Sequence, residues 1–148
     1  MYDIENMDLR YRIFATTFLM ANRLQMLMDQ QIQDITCKQW FVLTMLDTFE
    51  QAPTLKDLSR ACDSSHQNTK QIVAKLEAKG YVRIERDQAD GRALRLHKTE
   101  KSSKWRMDNK DKAAAFVDAM FSKLSDQEIK MMFKAQQCLY QTLGEMEV

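Results

Sequence analysis

The stretch from Thr54 to Lys98, TLKDLSRACDSSHQNTKQIVAKLEAKGYVRIERDQADGRALRLHK, decides the fold. It begins with a short apolar-periodic segment over residues 54–62, which predicts a helix. A polar turn at 63–65 separates this helix from a second one, predicted over residues 66–79. Gly80 follows at the position where a glycine suits a left-handed C-terminal cap. The first half of the stretch therefore predicts a helix–turn–helix.

The second half of the stretch changes its period from helical to alternating. Residues 81–86 and 93–97 each alternate apolar and polar side chains, and a polar loop joins them, which is typical of a β-hairpin. The apolar residues expected to face inward are Val82, Ile84, Leu94 and Leu96. A helix–turn–helix followed at once by a two-stranded hairpin is a winged helix.

Three short motifs, two of them outside this stretch, mark where helices begin. Thr36–Gln39 and Ser125–Glu128 read as capping boxes, and Thr54 can cap the first helix of the central stretch with Asp57 three residues on. Each motif opens an apolar-periodic segment, so together they predict helix starts after residues 36, 54 and 125.

Long helices are predicted at both ends of the chain, over residues 8–33, 100–123 and the segment after Ser125. Their apolar residues cover more than a narrow stripe, and such helices usually bury that surface against something else. We expect residues 1–35 and 100–148 to form a dimer interface, with core packing inside the chain as the alternative. The fold class is thus mainly α with a small β-hairpin: a winged helix-turn-helix lobe over residues 36–99, flanked by dimerisation helices in a single domain of residues 1–148.

The overall composition suits this class. Of 148 residues, 45% are hydrophobic and 29% charged, and only three are glycine and one proline. So few helix breakers disfavour a β-sandwich or a glycine-rich phosphate loop. The longest near-apolar stretch, residues 13–21, is too short to span a membrane, and the acidic start does not resemble a signal peptide. Three scattered cysteines indicate neither disulfides nor a zinc ribbon, so we expect a reducing cytoplasm.

The charge distribution is more informative than the net charge of +1. Residues 64–110 contain twelve basic and six acidic residues, a net charge of +6, which leaves −5 for the rest of the chain. A basic middle between acidic ends is expected if only the centre meets phosphates.

The helix predicted over residues 66–79 has two different faces at 100° per residue. Thr69, Ile72, Val73 and Leu76 lie on one side, and Gln, Lys and Ala residues lie on the other. Amide side chains pair with adenine edges and lysines reach guanines or phosphates, as a recognition helix in a major groove requires. The plainer interpretation is a solvated helix face. In the loop that follows, Arg92 suits insertion into a narrow minor groove, with Asp90 as the partner that orients it; an exposed β-turn is the alternative.

At this point the chain resembles the MarR (multiple-antibiotic-resistance regulator) family of winged-helix transcription factors. The motifs that carry the resemblance are Gln39-Trp40-x-Val42-Leu43, Leu55-x-x-Leu58, Leu76-Glu77-x-Lys79-Gly80, Asp90-Gly91-Arg92 and Leu96-x-x-Thr99. One departure is Ser102, where the family often has glycine after the wing threonine. The resemblance implies a homodimeric, sequence-specific DNA-binding regulator, expected to be a repressor, on a pseudo-palindromic operator. The residues predicted to bind DNA are Ser65, His66, Gln67, Asn68, Lys70, Gln71, Lys75, Arg86, Asp90, Arg92 and Arg95.

Many members of this family release DNA when a small aromatic or anionic ligand binds, and this resemblance suggests an effector pocket. The candidate pocket residues are Tyr11, Phe14, Trp40, Phe41 and Met45; for each of them the alternative is an ordinary place in the core. Some relatives sense oxidants through cysteine, and Cys37, near a helix N-terminus, has the best local reason for a lowered pKa.

Other functional classes have weaker support. A winged-helix adaptor that binds protein instead of DNA would need an acidic or apolar recognition face, which residues 66–79 lack, although the adaptor role stays open. The two histidines lie in no catalytic or metal-ligand arrangement, so we expect no enzyme activity, no cofactor and no metal.

Overall fold

The computed structural model describes residues 7–87 and 93–146, and its elements occur in the predicted order. They are α1 (Leu9–Gln31), α2 (Cys37–Leu46), α3 (Leu55–Ala61), α4 (His66–Ala78), β1 (Val82–Arg86), β2 (Leu94–Lys98), α5 (Glu100–Phe121) and α6 (Asp126–Glu145). The expected fold class, a mainly helical winged helix-turn-helix with long helices at both ends, is confirmed.

The three predicted helix starts are confirmed as reciprocal capping boxes. The side chains of Thr36, Thr54 and Ser125 each accept a hydrogen bond from the backbone N–H three residues on. The side chain at that third position, Gln39, Asp57 or Glu128, accepts one from the backbone N–H of the cap residue. Each such cap contributes about 1 kcal/mol, so short sequence motifs determine where α2, α3 and α6 begin.

The end of α4 is set by Gly80, whose φ is +76°. The N–H of Tyr81 donates to the carbonyl of Leu76 at 2.9 Å, and the N–H of Gly80 donates to that of Glu77 at 2.8 Å. These two bonds are a Schellman motif. A Cβ at Gly80 would meet nothing closer than a Lys101 side-chain carbon at 3.9 Å, so the backbone angle, and not a lack of space, favours glycine here.

The hydrophobic core lies between α2, α3, α4 and the hairpin. Its buried apolar residues are Ile35, Val42, Leu43, Leu46, Leu58, Val73, Leu76, Tyr81, Val82 and Leu96. All of them fall within residues 35–96, so the winged-helix lobe has a core of its own.

The hairpin pairs antiparallel, with Ile84 opposite Leu96 and Arg86 opposite Leu94. Leu96 is buried, but Leu94 is 47% exposed, so the prediction that Leu94 faces inward is wrong. The alternation correctly places both leucines on one face of the strand, yet Leu94 pairs at the far end of the ladder, beyond the core. On its other side, β2 forms one further backbone hydrogen bond, in which the N–H of Leu96 donates to the carbonyl of Pro53 at 3.0 Å.

The chain divides into two compact units, residues 1–104 and 105–148. In the first unit, α1 has no buried residue and exposes aromatic side chains, among them Phe14 and Phe18, which contact each other edge-to-face. In the second unit, α6 has no buried residue either. Its exposed apolar residues include Met131, Phe133, Leu139, Tyr140 and Leu143. The assignment of both terminal regions to dimerisation stays a prediction. Among the described residues, no helix is long and apolar enough to cross a membrane.

Candidate nucleic-acid interface

Helix α4 has the two faces that its sequence predicts. Thr69, Val73 and Leu76 are buried against the lobe and Ile72 is half-buried. The exposed residues of the helix are His66, Gln67, Asn68, Lys70, Gln71, Ala74, Lys75, Glu77 and Ala78. Every α4 residue that was predicted to contact DNA therefore lies on the solvent side, with alanines among them that permit close approach to a surface.

The first turn of α4 is held by side chains that were predicted to contact DNA. The Ser65 hydroxyl accepts the backbone N–H of Asn68 at 3.2 Å, and the Asn68 amide donates to the Ser64 hydroxyl at 2.8 Å. Ser65 and Asn68 thus stabilise the turn that precedes α4. Gln67 and Gln71, one turn apart on the exposed face, are the amides best placed to pair with base edges.

The last turn of α4 is tied to the segment before α2 by Lys79. Its ammonium group donates to the carbonyl of Asp34 at 2.5 Å and to the buried side-chain oxygen of Gln39 at 3.2 Å. That same Gln39 oxygen accepts the N–H of Thr36 in the capping box. Lys79, which follows the last residue of α4, is therefore a structural residue that orients this helix. The only signal for this role was the presence of Gln39 and Lys79 among the motifs of the resemblance.

The outer face of the hairpin carries alternating charges. Arg83 pairs with Glu85 at 2.9 Å, and Glu85 also lies 3.4 Å from the ring of His97. Arg86, predicted to bind DNA, is exposed at the end of β1. The predicted Asp90 and Arg92 lie outside the described residues, so their roles stay predictions.

Arg95, also predicted to contact DNA, is engaged within the chain. Its guanidinium Nε lies 2.6 Å from a carboxylate oxygen of Asp87, and a second nitrogen donates to the carbonyl of Ala52 at 3.1 Å. These contacts give Arg95 an internal structural role that the sequence did not indicate.

The candidate effector residues are not all core residues. Tyr11, Phe14 and Phe41 are exposed, so the alternative that they belong to the core of the chain is wrong; Trp40 and Met45 are half-buried. The shared role of the five residues stays a prediction.

The cysteines differ from the expectation for a thiol switch. Burial and the neighbouring Asp29 carboxylate raise the pKa of the Cys37 thiol, and the positive charge of Lys38 only partly opposes them. The interpretation of Cys37 as a thiol with a lowered pKa is therefore wrong: desolvation outweighs its position at a helix N-terminus. Burial and Asp63 likewise raise the pKa of Cys62. Within residues 7–87 and 93–146, no group of three or more His, Cys, Asp or Glu residues is arranged to hold a metal ion.

The chain is similar in sequence and in fold to known transcriptional regulators. Residues 33–93 match the model of the MarR family. A MarR/EmrR family transcriptional regulator from Acinetobacter has a TM-score of 0.83 at 17% identity, over 95% of this chain and all of that one. FabT of Streptococcus pneumoniae, solved in complex with DNA, has a TM-score of 0.74 at 22% identity, over 93% and 99% of the two chains. BpsR of Bordetella bronchiseptica, whose DNA binding is regulated by 6-hydroxynicotinic acid, has a TM-score of 0.77 at 18% identity, over 87% and 98%. No curated protein matches the sequence.

Proposed function

Because its winged-helix lobe belongs to the MarR family of transcriptional regulators, we propose that this chain is a homodimeric repressor that binds a pseudo-palindromic DNA operator and has no enzyme activity. The exposed face of α4 is the observation that carries the proposal. One face of this helix is buried and the other presents amides, lysines and alanines, with Glu77 as its single acidic residue.

The chemistry of that face suits a major groove. Lys70 and Lys75 supply positive charge for phosphates or guanine edges, and Gln67 and Gln71 supply paired donors and acceptors for adenine. Ala74 and Ala78 let the helix backbone approach closely. An adaptor that binds an acidic or apolar partner protein is the second possibility, and it has no comparable support from this face.

Two further observations support the homodimer. Neither α1 nor α6 buries a residue in the described chain, yet both expose large apolar side chains. A second copy covers such surfaces at low cost because a two-fold interface uses the same patch twice. A two-fold dimer also presents two α4 helices to two half-sites, which is the geometry of a palindromic operator.

DNA binding is tested by fluorescence anisotropy with labelled duplexes from the region upstream of the gene. We expect affinity to fall steeply as salt rises, because bound lysines and arginines release counterions from the phosphates. Lys70→Ala is expected to weaken binding to all sequences, whereas Lys130→Ala on α6 serves as the control of equal charge. Gln71→Ala is expected to change the ranking of operator variants. Absent or salt-insensitive binding would contradict the proposal.

We also propose release by a small aromatic or anionic effector, which Phe41 and Trp40 on α2 support. Phe41 is 42% exposed and Trp40, the residue before it, is half-buried, so each leaves part of an aromatic ring accessible to a flat ligand. In a Trp105→Phe background, Trp40 fluorescence reports directly on α2. Titration with aromatic carboxylates should quench it and release bound DNA together; quenching without release, or release in a Phe41→Ala variant at unchanged affinity, would contradict this role.

A further inference from the structure

Three groups meet at the point where the two strands of the hairpin separate. They are the Asp87 carboxylate, the Arg95 guanidinium and the carbonyl of Ala52. We call these three groups together the wing clamp. The Asp87 side chain is only 15% exposed and that of Arg95 is 38% exposed. The guanidinium uses two of its nitrogens at once, one for each acceptor.

The backbone around the wing clamp brings the same three segments together. The N–H of Asp87 donates to the carbonyl of Ala93 at 2.9 Å, which closes the end of the ladder. Arg95 also forms an isolated antiparallel bridge with Thr54, directly before α3. Arg95 therefore joins β2, the end of β1 and the segment that leads into the helix–turn–helix. Residues 88–92, which contain the Asp90-Gly91-Arg92 motif, connect Asp87 to Ala93 in the sequence.

We infer that Arg95 and Asp87 are positioning residues for the hairpin: their contacts fix the backbone at residues 87 and 93, on either side of 88–92 in the sequence, beside the segment that leads into the helix–turn–helix, and they do not themselves contact DNA. This inference rests on the proposed DNA-binding function. A guanidinium suits the role because its rigid fork serves two acceptors in different directions, whereas a lysine ammonium is a single flexible point charge.

The effect of removing Asp87 distinguishes a positioning role from a direct contact. A carboxylate near DNA repels phosphates, and Asp87 also restrains Arg95. If Arg95 is a phosphate contact, Asp87→Ala frees a cation, removes a negative charge and strengthens binding. If the wing clamp positions the hairpin, the same substitution weakens binding although the protein becomes more positive. The two roles predict opposite signs.

The DNA experiment uses a labelled duplex enriched by the wild-type protein from a random-sequence library. We expect Asp87→Ala and Arg95→Ala each to weaken binding about tenfold, as loss of a charge-assisted hydrogen bond implies. The double variant should bind about as weakly as either single one, because both remove the same clamp. Arg95→Lys should not rescue binding. Glu85→Ala is the matched control: it removes an exposed carboxylate from the same hairpin and should leave affinity unchanged or higher. Tighter binding by Asp87→Ala, additive losses, or rescue by lysine would overturn the inference.

A second measurement needs no DNA. Amide hydrogen exchange at Asp87 and Leu96 reports on the Asp87–Ala93 and Pro53–Leu96 hydrogen bonds. Arg95→Ala should accelerate exchange at both amides while leaving Val73 and Leu76 in α4 protected. Unchanged exchange at Asp87 and Leu96 would refute the wing clamp even if the protein binds DNA. Accelerated exchange together with no DNA binding by the wild type would refute the proposed function and leave the clamp standing as a structural device.

Discussion

The winged-helix lobe and the long terminal helices solve the same problem in different ways. In the lobe, ten apolar side chains from three short helices, a hairpin and the residues that flank them are buried within the chain. In α1 and α6, 43 helical residues include none that is buried. Yet both regions contain many apolar residues at helical spacing.

The difference teaches that an amphipathic pattern specifies a surface to be covered, but not what covers it. The lobe buries its own apolar side chains because its short helices and strands fold back on one another within about 60 residues. A long straight helix exposes its apolar face along its whole length, so it needs a neighbour of similar length. The following predictions test this contrast, from the largest expected effect to the smallest.

A charged residue on the apolar surface of α6 should break the dimer. Phe133→Asp removes about 2–3 kcal/mol of apolar burial from each copy, and a two-fold interface loses this twice. The dimer dissociation constant should rise about a thousandfold or more, as measured by analytical ultracentrifugation. Gln127→Asp, at an exposed position about 120° around the same helix from Phe133, controls for added charge. A Phe133→Asp protein that dimerises normally would show that α6 is covered in another way.

A core leucine and an exposed leucine should differ sharply within the lobe. Leu76 is fully buried, so Leu76→Ala should lower the free energy of unfolding by about 3 kcal/mol through lost burial and the cavity left behind. Leu94→Ala is the matched control and should cost less than about 1 kcal/mol. Urea denaturation measures both. Equal losses would mean that Leu94 is buried in the assembled protein. A part of the hairpin would then be covered by a partner, as we expect for α1 and α6.

Thr69 tests how completely the lobe satisfies its own polar groups. Its side chain is fully buried, and among the described residues its hydroxyl has no hydrogen-bond partner. Thr69→Val keeps the shape and removes that hydroxyl, so the free energy of unfolding should rise by about 1 kcal/mol. Thr36→Val, which removes a cap hydroxyl in use, should instead cost about 1 kcal/mol. A loss of stability in Thr69→Val would reveal a partner for that oxygen in solution.

The capping carboxylates predict a small acid sensitivity in both regions. Hydrogen bonds from Thr54 hold the pKa of Asp57 below its ordinary value of 3.8, and those from Ser125 lower the pKa of Glu128. Because each folded pKa lies below the unfolded one, the stabilisation is complete above the ordinary value and is lost as pH falls through the folded pKa. Glu128 is exposed and Asp57 is half-buried, so solvent screens both carboxylates and the effect is small.

Unfolding followed against pH checks this point. Asp57→Asn and Glu128→Gln should each flatten part of the decline below the ordinary carboxyl pKa and leave the pH profile near neutrality unchanged. A loss of stability that begins near neutral pH in the wild type would point to a different titrating group.

Much of the fold was predictable because its signals are local. The capping boxes, the glycine after α4 and the change from helical to alternating period each depend on residues within a few positions of one another. The two faces of α4 were predictable for the same reason, since residues three and four apart share one side of a helix. These patterns placed Gln67, Gln71 and Lys75 on the exposed face before any tertiary contact was known.

Other roles were not predictable, because they depend on contacts between residues far apart in the chain. Lys79 and Gln39 are 40 positions apart, and Arg95 and Ala52 are 43 apart. Nothing in the neighbourhood of either cation shows that it is engaged inside the lobe. The prediction of a lowered pKa for Cys37 was wrong for a related reason. Its position at a helix start favours the thiolate, but burial and the Asp29 carboxylate of α1 outweigh that local effect.

The sequence by itself determined the order of the elements, their starts and ends, the basic centre of the chain and the polar face of α4. Tertiary structure decided which of the charged residues remain available to a partner and which are engaged within the lobe. It also decided that Leu96 is core while Leu94, on the same face two residues earlier, is not. The physical reason is that periodicity sets the direction of a side chain, whereas burial and pairing depend on what the rest of the chain brings to meet it.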